Sequence, residues 1–405
     1  MKQTRRKSLL HSVAALALGL AAAIPFQAQA ASCDGPIKLG TTISSTGRNA
    51  TLADRWVRMT EVFEARFNQD GGVFVKECDK KLPIKFVIYD DQSVPATAVT
   101  LYERLATADK VDFFVGPDWS ALSFAASQVM ETHKTPSVMS NASAENIYTR
   151  GLKYAFGVPM PTAKQWSVNY FDLLKTVSPA PKSIFFVVQD NLLTKDITAN
   201  AVEQAKAAGM EVLGNEIFAP ELKDFTAITL KLRRANPDII YIASYDAPAM
   251  PLIQQMRQMR VKALDVHLTM TTGALLKTLG ADAEGLSGEI PWFPGMQGDY
   301  SELVTEVLKD ADVDVRDYLW TMSRLSSYLV MVQAIERAGA VDREKVRDAL
   351  DHGTFKSPVG DITFLEGGIS ETAAFTTQVQ SGVLELVAPK AVANKPFIYP
   401  SVSWK

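Results

Sequence analysis

Asp118-Trp119-Ser120 ends the run Val111-Asp112-Phe113-Phe114-Val115-Gly116-Pro117. The apolar part reads as a buried strand, and the Ala-rich stretch that follows reads as a helix. An acid, an indole and a hydroxyl therefore stand at the mouth of a helix. A helix start carries unpaired N–H donors and a partial positive charge. Such a place suits an anion. Polar strand ends recur along the chain: Ser44-Ser45-Thr46-Gly47, Asp90-Asp91-Gln92, Ser140-Asn141-Ala142-Ser143, Gln189-Asp190-Asn191, Ser244-Tyr245-Asp246 and Thr269-Met270-Thr271-Thr272. Helix N-capping favours Ser, Thr, Asp and Asn and accounts for about half of these residues. It does not account for Trp119 or Tyr245, which cap nothing and are costly to expose.

Reaction centres are not apparent. The sequence has no G-x-S-x-G, G-x-G-x-x-G, G-x-x-x-x-G-K-[ST], H-E-x-x-H or C-x-x-C. His11 falls near the N-terminus, and His133, His267 and His352 have no ligand spacing. The acid pair Asp90-Asp91 reads as a loop and cap feature, not a catalytic dyad. The expectation is a protein that binds and does not catalyse, with no cofactor and no metal. A secreted hydrolase with a dispersed triad is the distant rival.

The elements that must position these residues alternate strand and helix. Ile37–Thr41 is a strand. Leu52, Trp56, Met59, Phe63 and Phe67 recur at spacings of three and four, which predicts one amphipathic helix. Strand 83–91, helix 95–108, strand 111–115, helix 120–130 and strand 135–140 follow. This order implies a parallel sheet covered on both faces. After the break Val158-Pro159-Met160-Pro161 the pattern restarts with helix 162–177 and strand 183–190. Helix 195–208, strand 211–218, helix 223–235, strand 238–246, helix 247–259 and strand 265–270 complete a second α/β unit. Helices 300–309, 316–338 and 342–351 come next, then short strands after Gly353. Three crossovers are expected, near 158–162, 290–295 and 354–362, and would form a hinge.

The first 30 residues read as an export signal: Lys2, Arg5, Arg6 and Lys7, the apolar run Val13–Ile24, then Ala28-Gln29-Ala30. Thr4-Arg5-Arg6-Lys7 hints at twin-arginine export, but reads better as an ordinary basic start. Removing this leader removes four basic residues and no acid, so the formal charge of −3 becomes more negative. An acidic mature chain argues against nucleic acid as partner. Cys33 and Cys78 each precede a predicted strand, and adjacent parallel strands begin at one edge. A disulfide is expected in an oxidising compartment. Lipid attachment at Cys33 is the alternative, though Ala30-Ala31-Ser32 is a poor lipidation signal.

Five blocks in order carry a resemblance. "STGRNATLADRWVRMTEVFEARFNQDGG", "YDDQSVPATAVTLYERLA", "VDFFVGPDWSALSFAAS", "TPSVMSNASAENI" and "DFTAITLKLRRANPDIIYIASY" are similar to segments of the type I periplasmic solute-binding proteins, in the leucine/isoleucine/valine-binding branch. The resemblance spans nearly all of the mature chain. It implies two Rossmann-like α/β lobes joined by a three-strand hinge, with residues 31–159 plus 293–356 in one and 160–292 plus 357–405 in the other. It implies a monomeric periplasmic receptor that closes on a small carboxylate and delivers it to an inner-membrane ABC permease. A ligand sensor of the same fold is the alternative. On the family's pattern the ligand residues are Ser45, Trp119, Ser120, Ala142, Ser143, Thr194, Tyr245, Asp246, Thr271 and Thr272. Two positions depart from relatives that bind α-amino acids. Thr271-Thr272 stand where those relatives carry an acid for the ligand ammonium, and Thr194 falls where they carry an aromatic wall. The expected ligand is therefore an organic acid without an α-ammonium, with Trp119 and Tyr245 sandwiching its apolar body. Asp246 or Asp118 could still supply the missing anion.

Overall fold

The computed structural model describes residues 33–158, 161–293, 299–314 and 320–401. The expected export signal, residues 1–30, lies outside the described residues. The chain opens with β1 (Ile37–Ile43), the short helix α1 (Ala50–Ala53) and α2 (Trp56–Gln69). The single expected helix is thus broken at Asp54-Arg55. Trp56, Met59 and Phe63 form the buried stripe of α2. A hairpin missing from the sequence reading follows, β2 (Val73–Val75) and β3 (Lys80–Leu82). Then come β4 (Ile84–Asp90), α3 (Pro95–Thr107), β5 (Phe113–Asp118), α4 (Ser120–Thr132), β6 (Ser137–Ser140) and β7 (Ala155–Gly157). They build a five-stranded sheet in the order β4-β1-β5-β6-β7. Every pair in it is parallel. All its carboxyl ends therefore face one edge.

The second unit runs α5 (Val168–Leu174), β8 (Ser183–Gln189), α6 (Leu192–Ala207), β9 (Glu211–Phe218), α7 (Thr226–Ala235), β10 (Ile239–Ala243), α8 (Asp246–Gln258), β11 (Asp265–Leu268), α9 (Gly273–Leu279) and β12 (Ser287–Ile290). Helix α5 is shorter than the expected 162–177, and β12 was not foreseen. Helices α10 (Ser301–Ala311), α11 (Thr321–Ala338) and α12 (Arg343–His352) return to the first sheet, α10 against α2 and α11 against β5 and β6. A small hairpin, β13 (Thr354–Phe355) with β14 (Ile362–Thr363), precedes β15 (Phe375–Gln380) and β16 (Val383–Ala388). The last two strands complete a seven-stranded sheet, β16-β15-β12-β11-β10-β8-β9. The chain passes between the two sheets after β7, after β12 and after β14. Two α/β lobes result.

Cys33 and Cys78 are disulfide-bonded, their Cα atoms 5.6 Å apart. The physical basis is the edge argument: Ile37 pairs with Ile84, so the leads into β1 and β4 lie side by side. Cys78 sits in the turn of the β2–β3 hairpin. The bond leaves no Cys33 thiol for a lipid.

The second sheet encloses a polar cluster. Asp265, His267 and Glu289 are buried. Tyr170 Oη donates to Asp265 Oδ2 at 2.8 Å, and Ser287 Oγ donates to the same oxygen at 2.5 Å. Ser287 Oγ lies 2.8 Å from His267 Nδ1. Since that hydroxyl gives its proton to Asp265, Nδ1 is the donor, and Nε2 is left bare. Glu289 Oε1 stands 3.5 Å from Nε2. Burial holds the Glu289 carboxyl well above its usual range and the imidazole well below. A neutral Glu289 can hand its proton toward a neutral His267. Tyr170 stacks on the imidazole at 3.5 Å.

Two expectations follow from this packing. Thiol titration of the denatured, unreduced mature protein will find no free thiol. Replacing both cysteines by alanine will cost about 4 kcal/mol, from the loop-closure entropy of about 45 residues. The second concerns pH. Burial pushes Asp265 up to about 7. The folded chain thus holds a proton that the unfolded chain releases near 4, so stability falls as pH rises from about 4 through 7. Calorimetric melting at pH 5 and pH 8 will show the lower midpoint at pH 8, and Asp265→Asn will shrink the difference. An unchanged slope in that variant would contradict a buried neutral Asp265.

Candidate functional site

The turn between β5 and α4 is built under constraint. Gly116 has φ +82°, and a Cβ there would lie 3.2 Å from Thr41 Oγ1 and from Tyr102 Oη. Trp119 has φ +69° and ψ +133°, a region that bulky residues avoid at a cost of about 1–3 kcal/mol. Several contacts hold it there. Its ring stacks on Trp56 at 5.6 Å and meets Trp320 edge-on at 6.3 Å. Asp118, just before it, is buried and accepts from Ser140 Oγ at 2.5 Å and Asn141 Nδ2 at 3.0 Å. Arg324 pairs with its other oxygen. Burial pushes the Asp118 carboxyl up, and the guanidinium opposes that shift.

Ser120 begins α4, whose first N–H groups have no partner within the helix. Its Oγ accepts from Ser143 N at 3.2 Å and Ala144 N at 3.1 Å. The hydroxyl proton stays available. Ser143 Oγ and Trp119 Nε1 are buried and have no hydrogen-bond partner among the described residues. The Ala142 carbonyl accepts from Tyr148 Oη at 2.5 Å. Trp119, Ser120, Ala142 and Ser143 thus converge, with unspent donors among them. Ser45 stands on the loop after β1, where its N–H donates to Asp90 Oδ1 at 3.0 Å. Asp91 accepts from Thr42 Oγ1 at 2.7 Å and Ser44 Oγ at 2.6 Å, so the acid pair orders loops.

From the other sheet, Tyr245 reaches Trp119 with centroids 6.2 Å apart and planes at 85°. The rings meet edge to face, so no parallel slot lies between them, unlike the expected sandwich. The Tyr245 N–H donates to Gln189 Oε1 at 2.9 Å. A cleft of about 590 Å³ opens beside it, walled by Arg48, Asn49 and Thr51 from one lobe and by Gln189, Asn191, Tyr245 and Asp246 from the other. Asp246 is buried, accepts from Thr272 Oγ1, and keeps Oδ1 without a partner. Thr272 also caps α9 through Leu275 N. Thr271 and Thr194 stand apart from this group. Thr271 Oγ1 pairs with Thr377 Oγ1 at 2.9 Å inside the second sheet, and Thr194 Oγ1 donates to the Gln189 carbonyl at 2.6 Å.

Residues 36–383 match the family model described as periplasmic binding protein. The chain belongs to the periplasmic binding protein family. Its kin place it with the type I, leucine/isoleucine/valine-binding members. It is 25% identical over 321 residues to the leucine-, isoleucine-, valine-, threonine- and alanine-binding protein of Pseudomonas aeruginosa, covering 77% of this chain and 81% of that one. A leucine binding protein from Thermotoga maritima has a similar structure, with TM-score 0.75, 20% identity, and 87% and 98% coverage. So does an R. palustris ABC-transporter solute binding protein in complex with benzoate, with TM-score 0.74, 16% identity, and 89% and 100% coverage. Sequence reasoning on this periplasmic binding protein did not single out Arg324, Trp56 and Trp320 as neighbours of Asp118 and Trp119. Arg324 did leave a signal: it is the only charged residue between Trp320 and Ile335.

Asp246 yields an expectation of its own. Burial pushes its carboxyl up to about 6, and Thr272 opposes the shift. Holding it there instead of at 3.8 costs the ligand-free protein about 3 kcal/mol above pH 6, and nothing below about pH 4. Asp246→Asn will therefore stabilise the empty protein at pH 8 and not at pH 4. Urea melts at the two pH values measure this, and equal effects at both would contradict it.

Proposed function

We propose that this chain is the periplasmic receptor of an ABC uptake system and that its lobes close on a small carboxylate solute. One lobe would take 31–159 plus 293 through the β13–β14 hairpin and the other 160–292 plus the chain after it, so that the expected boundary at 356 moves past Thr363. The observation that carries the reading is the cluster at the start of α4. Ser120, Ser143 Oγ, the free first-turn N–H groups and Trp119 Nε1 supply donors to an anion, and none of them requires bond-breaking chemistry. The rings of Trp119 and Tyr245 give the apolar body an angled wall. Asp246 Oδ1 accepts from a donor at the far end of the solute, a hydroxyl or an ammonium. It thereby provides the acid that loop 271–273 lacks. The leucine-binding and benzoate-bound relatives support both kinds of carboxylate body.

Calorimetry on mature protein freed of co-purified solute tests this. The panel is benzoate, 4-hydroxybenzoate, leucine, isoleucine and phenylalanine, with benzamide and leucinamide as counterparts that lack the carboxylate. At least one carboxylate will bind at micromolar affinity, and its amide will not. Ser120→Ala will weaken that ligand about tenfold or more, since a hydrogen bond to a charged group contributes about 1.5–3 kcal/mol. Equal binding of acid and amide, or an unaffected Ser120→Ala, would overturn the carboxylate reading.

A further inference from the structure

The first turn of α11 holds residues on both sides of the carboxylate cluster. Thr321 Oγ1 accepts from Trp56 Nε1 at 3.0 Å, and Trp56 is the ring on which Trp119 stacks. Ser323 Oγ accepts from Asn141 N at 3.1 Å and so fixes the loop that carries Ser143. Arg324, fully buried, spends its fork on three groups: Asp118, Tyr328 Oη at 2.5 Å and Thr41 Oγ1 at 3.0 Å. Its guanidinium carbon also lies 5.5 Å over the Trp56 ring. Asp118 is two residues from Ser120. An unpaired carboxylate there would repel an anionic ligand and would loosen Ser140 and Asn141, which it holds.

We propose that Arg324 is a positioning residue for ligand binding: it cancels the Asp118 charge and locks the 118–120 and 140–143 loops into one anion-accepting frame. The proposal rests on the carboxylate reading above. Tyr328 keeps Thr60 as a partner at 2.7 Å without Arg324, and Thr41 keeps the Thr42 carbonyl at 3.3 Å. Asp118 is the group that loses its counter-charge. Removing that charge should therefore repair what removing Arg324 breaks.

The experiment compares wild type, Arg324→Met, Asp118→Asn and the double variant Asp118→Asn/Arg324→Met. The probe is whichever panel carboxylate binds wild type best. Arg324→Met will bind it at least about 30-fold more weakly, and the double variant will return to within about fivefold of wild type. In ligand-free protein, amide hydrogen exchange at Ser143 and Ala144 will speed up at least about tenfold in Arg324→Met and recover in the double variant. Exchange in β8 and β10 will not change. If Arg324→Met does not fold, Arg324→Lys carries the comparison: it keeps the charge, loses the fork, and will show faster exchange at both amides. Arg324→Met binding within threefold of wild type, or no repair by Asp118→Asn, overturns the proposal. If wild type binds no panel carboxylate, the carboxylate reading fails. Unchanged exchange at Ser143 and Ala144 then separately overturns the positioning role.

Discussion

The ion pair between Asp118 and Arg324 is the interaction that ties together the strand ends of the first lobe. A parallel sheet sends the ends of β1, β4, β5 and β6 to one edge. Nothing in that topology decides how those loops are tied together. The tie is one carboxylate that takes Ser140, Asn141 and Arg324 at once. A buried pair of this kind is weak evidence for stability, because desolvation offsets the attraction. Its clearer consequence is geometric. It fixes a strained tryptophan and two loops against a helix that arrives only after the chain has left the lobe and returned.

The two lobes treat buried acids differently. In the first, Asp118 stays paired with a cation that has no accessible route to deprotonation. In the second, no Lys or Arg among the described residues pairs with Asp265 or Glu289. These acids are held by protons instead, through Tyr170, Ser287 and the neutral His267. Ionic fixing leaves the strand ends of the first lobe without a net charge from Asp118. Proton sharing suits a sheet interior, where a net charge would be uncompensated.

Much of this was legible in the sequence. Period and strand-end composition located both sheets, and the hydroxyls at Ser120 and Ser143 stood out because capping could not account for the neighbouring Trp119. The edge logic of parallel strands predicted the Cys33–Cys78 bond. What stayed hidden depends on distance along the chain. Arg324 meets Asp118 across 206 residues, and Trp56 meets Trp119 across the rest of α2, helix α3 and four strands. A lone arginine in an apolar helix marks a buried partner but does not name it. The β2–β3 hairpin was missed because strands of three residues leave almost no periodicity. Ring orientation is also beyond sequence: Trp119 and Tyr245 were rightly placed across from each other, yet they meet at 85°.

Three of the buried side-chain atoms that lack a hydrogen-bond partner among the described residues belong to residues proposed to meet the solute. Buried groups without partners are costly, so a folded chain keeps few of them. Here Trp119 Nε1 and Ser143 Oγ lie on one side of the lobe boundary, and Asp246 Oδ1 lies on the other. Two can donate, and the third is an acceptor held near its ionisation point. One solute with an anionic end and a donor end would satisfy all three, and only with both lobes in contact. On the proposed reading a solute would remove that cost, and it would shift the lobes only by what it binds better in one arrangement than in the other.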